Sequence, residues 1–180
     1  MNYIFLLLSA FWGCITDICL KRRLSLHRYP HTVIFSLLTC FAFLMAFGDP
    51  IRIVKGYLFI QFLIIAGYWD QKTHEIPDWL PICVALCGLI NFNPLNSFIG
   101  AIWTFAVLII SDRIFDTFGG GDIKLLTACG FTLGIFGAIC SSILSLLLFS
   151  IAHLKKSHWN SRYPLAPFIT IGCFLTFLIT

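Results

Sequence analysis

The chain has 180 residues, 59% of them hydrophobic and 11% charged, with a mean hydropathy of +0.92. An ordinary soluble domain carries about 25% charged residues, so this composition excludes one and describes a polytopic membrane protein. The formal charge of +4 is spread over short loops between apolar runs, where it reports topology rather than a nucleic-acid surface.

No polar or Pro/Ser-rich linker divides the chain and no internal repeat is apparent, so a single membrane-embedded domain over residues 1–180 is expected. The first stretch, MNYIFLLLSAFWGCITDICLKRR, has no basic residue ahead of its apolar core and three behind it. A cleaved signal peptide has the reverse flanks, and the stretch is expected to persist as a first span. With that window at about 3–20, further apolar windows fall at about 32–48, 51–69, 79–90, 97–111, 123–133, 137–153 and 164–180. Together they predict an all-α polytopic bundle of about eight membrane segments, several shorter than the roughly 20 residues of a crossing helix. The eight cysteines lie almost wholly within these runs and form no C-x-x-C pair, which suits small packing residues better than a metal or disulfide framework.

With the N-terminus outside, Lys21, Arg22, Arg23, Arg28, Lys72, Arg113, Lys124, Lys155, Lys156 and Arg162 fall on the inner side, against Arg52 and Lys55 on the outer. This asymmetry follows the positive-inside rule. It also puts YWDQKTHEIPDWL and SDRIFDTFGGGD on the same, cytoplasmic, side. The run after Asp122 has about eleven apolar residues before Gly134, about 17 Å of a ~30 Å hydrocarbon core. Irregular backbone at such depth is tolerated only inside protein or beside water, which predicts a wet pocket near the inner face.

The eight acidic residues differ in what their neighbours explain. Asp49 precedes Pro50 in a turn. Asp17, inside the first span, stands four residues before Lys21, the spacing of a helical ion pair. Asp112 and Asp116 are juxtamembrane charges beside Arg113, and Glu75 and His74 are loop residues without the partners that a metal site needs. Asp78, in IPDWL, and Asp122, after three glycines, both occupy the position of a helix N-cap. Asp70 does not: it closes the run FLIIAGYW, where a carboxylate meets the unfavourable end of the helix dipole at a few tenths to about 1 kcal/mol.

Asp70 and Asp122, each at the inner end of a span, could meet across a helix contact. Two carboxylates in one site cannot readily both ionise and so hold a single proton between them. Such a pair suits hydrolysis, one member taking a proton from attacking water and the other donating to the developing oxyanion. Gly119, Gly120 and Gly121 lack a Cβ, so they would permit positive φ and the close approach of a substrate backbone beside the acid. They are expected to interrupt the helix there.

These residues resemble the type IV prepilin peptidases, membrane aspartic proteases of the GxGD class. The likeness is carried by Gly119-Gly120-Gly121-Asp122 followed by Ile123-Lys124-Leu125-Leu126, by Asp70 with Ile76-Pro77-Asp78, and by Tyr163-Pro164-Leu165-Ala166-Pro167-Phe168 opening the last span. It extends from about residue 60 to the end. The resemblance implies an endopeptidase of the bacterial inner membrane that removes the basic leader of type IV prepilins or pseudopilins at the cytoplasmic face. Asp70 and Asp122 would be the catalytic pair, with Gly119, Gly120, Gly121, Lys124, Asp78, Pro164 and Pro167 facing the substrate. No metal or other cofactor is implied, and the partners are the substrate and the lipid bilayer. Larger family members carry a cytoplasmic insertion with paired C-x-x-C motifs and also N-methylate the product, whereas the corresponding loop here is LKRRLSLHRYPH. Methyl transfer is therefore not expected. The competing readings are a small transporter built on intramembrane acids, a non-catalytic assembly factor for a pilus or secretion machine, and a GxGD protease acting on a different substrate.

Overall fold

The computed structural model describes residues 2–24, 30–115, 119–153 and 164–180. Arg28, Asp116, Lys155, Lys156, Arg162 and Tyr163 lie outside the described residues. The helices are α1 (Asn2–Arg23), α2 (Thr32–Ala46), α3 (Pro50–Thr73), α4 (Trp79–Gly88), α5 (Pro94–Phe115), α6 (Gly120–His153) and α7 (Ala166–Ile179), with no strand among the described residues. The all-α expectation is met. Four helices, α1, α3, α5 and α6, are long and apolar enough to cross a membrane; α2, α4 and α7 are apolar but shorter.

Among the described residues the expected eight segments come out as seven helices, because the windows 123–133 and 137–153 fall within α6. That helix is broken at Gly134, with φ 76° and ψ −179°, a conformation open essentially to glycine alone. Its two arms run in opposite directions. Cys129 of the first arm meets Cys173 of α7, so that arm runs parallel to α7 from its start. In the second arm, Phe149 packs on Phe168 near the start of α7, while Ser145 abuts Gly172 further along it. The reversal exposes backbone donors, and Asn96 of α5 answers one: its Oδ1 accepts from the Ile135 N–H at 3.0 Å.

Lipid tails are as apolar as leucine, so close packing and buried polar contacts must hold such helices together. α5 and α6 cross where a Cβ on Gly100 would stand 2.4 Å from the Gly130 carbonyl oxygen, and one on Gly130 would stand 2.4 Å from Thr104 Oγ1. Phe43, Phe59, Leu63, Leu80, Leu125 and Ile169 fill a common core, while Tyr3, Leu7, Leu95 and Ile102 point outward. On the α1–α2–α3 side, Ser36 donates to the Ser9 carbonyl at 2.7 Å, its hydroxyl lies 2.7 Å from Tyr57 Oη, and Gln61 donates to Thr39 at 3.1 Å.

Caps fix where the helices begin. Asp49, read as a turn residue, is the N-cap of α3: it accepts from the Ile51 N–H at 3.1 Å, with Pro50 in the first turn. Asp17 is 8% exposed and accepts from the Thr32 N–H at 2.7 Å and from the Thr32 hydroxyl, which ties α1 to the start of α2. Tyr68 donates to the Pro30 carbonyl and joins that corner to the last turns of α3. The end of α3 is set by His74, which adopts a left-handed conformation and donates its N–H to the Asp70 carbonyl at 2.9 Å.

Candidate active site

The last turn of α3 delivers Asp70, and the first turn of α7 answers it. Asp70 is 5% exposed, and its Oδ2 accepts from the Ala166 N–H at 2.9 Å. An acid at a helix C-terminus is unfavourable in isolation, but here the positive N-terminal end of a second helix faces it. Pro164 stands just before the Leu165 cap of α7; Pro167 lies in its first turn against Gly67 of α3. Thr170 then donates to the Leu63 carbonyl at 2.9 Å, extending the α3–α7 seam away from Asp70.

Asp122 sits inside the first turn of α6 rather than at its cap. Gly119 precedes the helix and accepts from the Asp122 N–H at 3.0 Å. The carboxyls of Asp122 and Asp70 are close enough for their charges to interact. Asp122 Oδ1 is buried and has no hydrogen-bond partner among the described residues. Such orphaned polar atoms are rare, because burial removes water without replacing its hydrogen bonds.

The glycine run differs from expectation. Gly120 and Gly121 are the first two residues of α6, and Gly134 is the described glycine with positive φ. The run thus lies where α6 begins, after the end of α5 at Phe115, and the positive φ comes an arm later. What Gly121 supplies is proximity, since a Cβ there would stand 3.1 Å from Ile76 Cβ. A Cβ on Gly120 would meet nothing within 4 Å, and one on Gly119 would meet only Asp122 Oδ2, at 3.3 Å.

Asp78 occupies the N-cap position of α4 but makes no capping hydrogen bond. Its Oδ1 instead accepts from Lys124 Nζ at 2.6 Å, an ion pair with side chains 76% and 59% exposed respectively. The segments around Asp70, Ile76 to Asp78, Gly119 to Lys124 and Pro164 to Pro167 therefore gather at one end of the bundle. Trp69 and Trp79 meet edge to face beside them, with ring centroids 6.0 Å apart, the residue type that concentrates at membrane–water boundaries. A cavity of about 500 Å³ opens between α4, α5 and α6, with Asp78 and Lys124 in its lining. It flanks Asp70 and Asp122 rather than containing them, and its walls are largely apolar, unlike the wet pocket expected at the aspartates.

A model of the type IV leader peptidase family matches residues 57–154, more than half of the chain. The chain belongs to that family. Within the leader peptidase match fall Asp70, Asp78, Gly119 to Asp122 and Lys124, while α7 lies beyond it. The chain is also similar to a prepilin leader peptidase/N-methyltransferase of Bacillus subtilis (strain 168), 33% identical in an alignment 147 positions long that covers 73% of this chain and 58% of the relative. It thus spans less than two thirds of that leader peptidase. No solved structure gives a significant match.

Sequence reasoning missed the donor to Asp70, the Ala166 amide. The signal was present: prolines at positions 164 and 167 mark a helix start, and every helix start carries unsatisfied amides. It also missed Ile76 as the residue against which Gly121 packs, for which a single chain offers no signal.

Proposed function

We propose that this chain is a membrane aspartic endopeptidase that removes the leader of type IV prepilins or pseudopilins at the cytoplasmic face of the bacterial inner membrane. The observation that carries the proposal is the meeting of Asp70 and Asp122, residues from two helices, beside the start of a third. One carboxylate takes a proton from water as its oxygen attacks the scissile carbonyl carbon. The other, protonated, donates to the carbonyl oxygen, and the tetrahedral intermediate collapses as the amine leaves with a proton. The pair works as a unit sharing one proton. The unpaired Asp122 Oδ1 supports this reading, since a reacting carboxyl needs an atom that the fold has not already engaged.

The basic residues at the ends of helices support the cytoplasmic assignment. Lys21, Arg22 and Arg23 close α1, Lys72 closes α3 and Arg113 lies in the last turn of α5, all at the aspartate end, whereas Arg52 and Lys55 lie at the start of α3. Gly119 and Gly120, open on their outer side, would admit a peptide backbone, with Gly121, Lys124, Asp78, Pro164 and Pro167 around it. The direct test is incubation of the purified protein in detergent or liposomes with a prepilin, following leader loss by mass. Loss of the leader with wild type, and none with Asp70→Asn or Asp122→Asn, is expected; wild-type cleavage by both variants rejects the pair.

A further inference from the structure

We infer that the furrow between α4, α5 and α6 seats an apolar helical segment of the substrate, entering sideways from the bilayer, while the cleavable segment crosses the bare start of α6 to reach the aspartates. This rests on the peptidase activity proposed above. The furrow is walled by Ile82 and Ala85 of α4, Ala101 and Phe105 of α5, and Ala128 and Phe131 of α6. Its charged lining residues are Asp78 and Lys124, paired at the end nearest the start of α6. An occupant must therefore be apolar along its length and polar at that end.

The route follows from helix geometry. Lys124 is two residues beyond Asp122, about 200° around the helix at 3.6 residues per turn. Furrow and aspartates consequently occupy opposite flanks of one helix end. Between them, Gly119 and Gly120 present no side chain, and a Cβ on Gly120 would meet no atom within 4 Å. An extended chain crosses a ~10 Å helix in about three residues. A peptide can pass there where any larger residue would obstruct it.

The test replaces Phe105, half-exposed in the furrow wall, with a photo-crosslinking benzoylphenylalanine, and compares it with the same probe at the outward-facing Ile110 of α5. Irradiation in membranes with a prepilin is expected to give at least tenfold more substrate adduct at 105 than at 110. Equal yields, or lipid adducts alone at 105, overturn the inference. In parallel, Ala101→Phe narrows the furrow and is expected to raise KM at least tenfold more for a helix-bearing substrate than for a peptide with the same cleavage sequence and no helix. An equal effect on both substrates counts against the furrow, and the crosslink decides if Ala101→Phe does not fold. Failure of wild type to cleave prepilin sinks the peptidase activity itself; wild-type cleavage without a Phe105 adduct sinks the furrow alone.

Discussion

Asp17 and Asp122 are both carboxylates carried into the bundle by apolar helices, yet their surroundings are opposite. Asp17 receives the Thr32 amide at 2.7 Å and the Thr32 hydroxyl, and that hydroxyl also lies 2.8 Å from the Thr16 hydroxyl, so the acid is absorbed into the α1–α2 corner. Asp122 leaves Oδ1 buried without a partner and has another carboxyl for a neighbour. An unsatisfied buried polar atom is unfavourable by about 1–3 kcal/mol. A fold gains nothing from it. Burial alone therefore does not distinguish a structural acid from one proposed to react; the distribution of hydrogen-bond donors separates the two here.

The comparison predicts opposite profiles for the two acids. Asp122→Asn and Asp70→Asn should lower prepilin cleavage at least ~10³-fold, about 4 kcal/mol of barrier. For Asp122→Asn the thermal midpoint in detergent should hold or rise, since the substitution removes a carboxyl from a buried site beside a second one. Asp17→Ala should do the reverse, lowering stability by about 1–3 kcal/mol because it strands the Thr32 amide, with cleavage per folded molecule within about threefold of wild type. A folded Asp17→Ala protein that cleaves nothing would break the comparison.

A smaller effect is expected at the α6 fold-back. Gly134→Ala forces an alanine into φ 76° and sets its Cβ 2.3 Å from Asn96 Nδ2, which should destabilise the bundle by about 1–3 kcal/mol. Asn96→Ala removes only the acceptor for the Ile135 amide, about 1 kcal/mol. Thermal midpoints of the two variants, measured side by side, should keep that order; a larger loss from Asn96→Ala would place the strain elsewhere.

Much of this arrangement was legible in the sequence because membrane burial writes itself into composition: the apolar windows located every helix, and charge asymmetry placed both acidic loops at one end. The separation between windows 123–133 and 137–153 was visible too, through Gly134, although not the reversal there or its completion by Asn96. Asp78 does occupy the cap position read for it but makes no capping bond, and Asp122 lies a step inside its helix, for a physical reason. Capping is a local rule, whereas Asp78 is held by Lys124, 46 residues away in the chain, and Asp122 lies within the first turn of α6. The glycines misled similarly. Absence of a Cβ permits positive φ and permits close approach, and only the position of Ile76 shows that the second is used.

The smallest expected effect on stability belongs to the Lys124–Asp78 pair, and it sharpens the contrast between holding and reacting groups. Both side chains are more than half exposed, and exposed ion pairs typically contribute about 0–1 kcal/mol. Asp78→Asn and Lys124→Met should therefore leave the thermal midpoint nearly unchanged. If the two charges meet the polar segment of the uncut substrate at the furrow mouth, each variant should raise KM by about three- to tenfold at nearly constant kcat, since contacts made equally before and during reaction act on binding alone. The charge-swapped double variant, Asp78→Lys with Lys124→Asp, separates the two roles: it restores the pair but reverses the polarity that the furrow mouth presents to the substrate. KM should stay high in the double variant; a return to the wild-type value would show that the pair only joins α4 to α6.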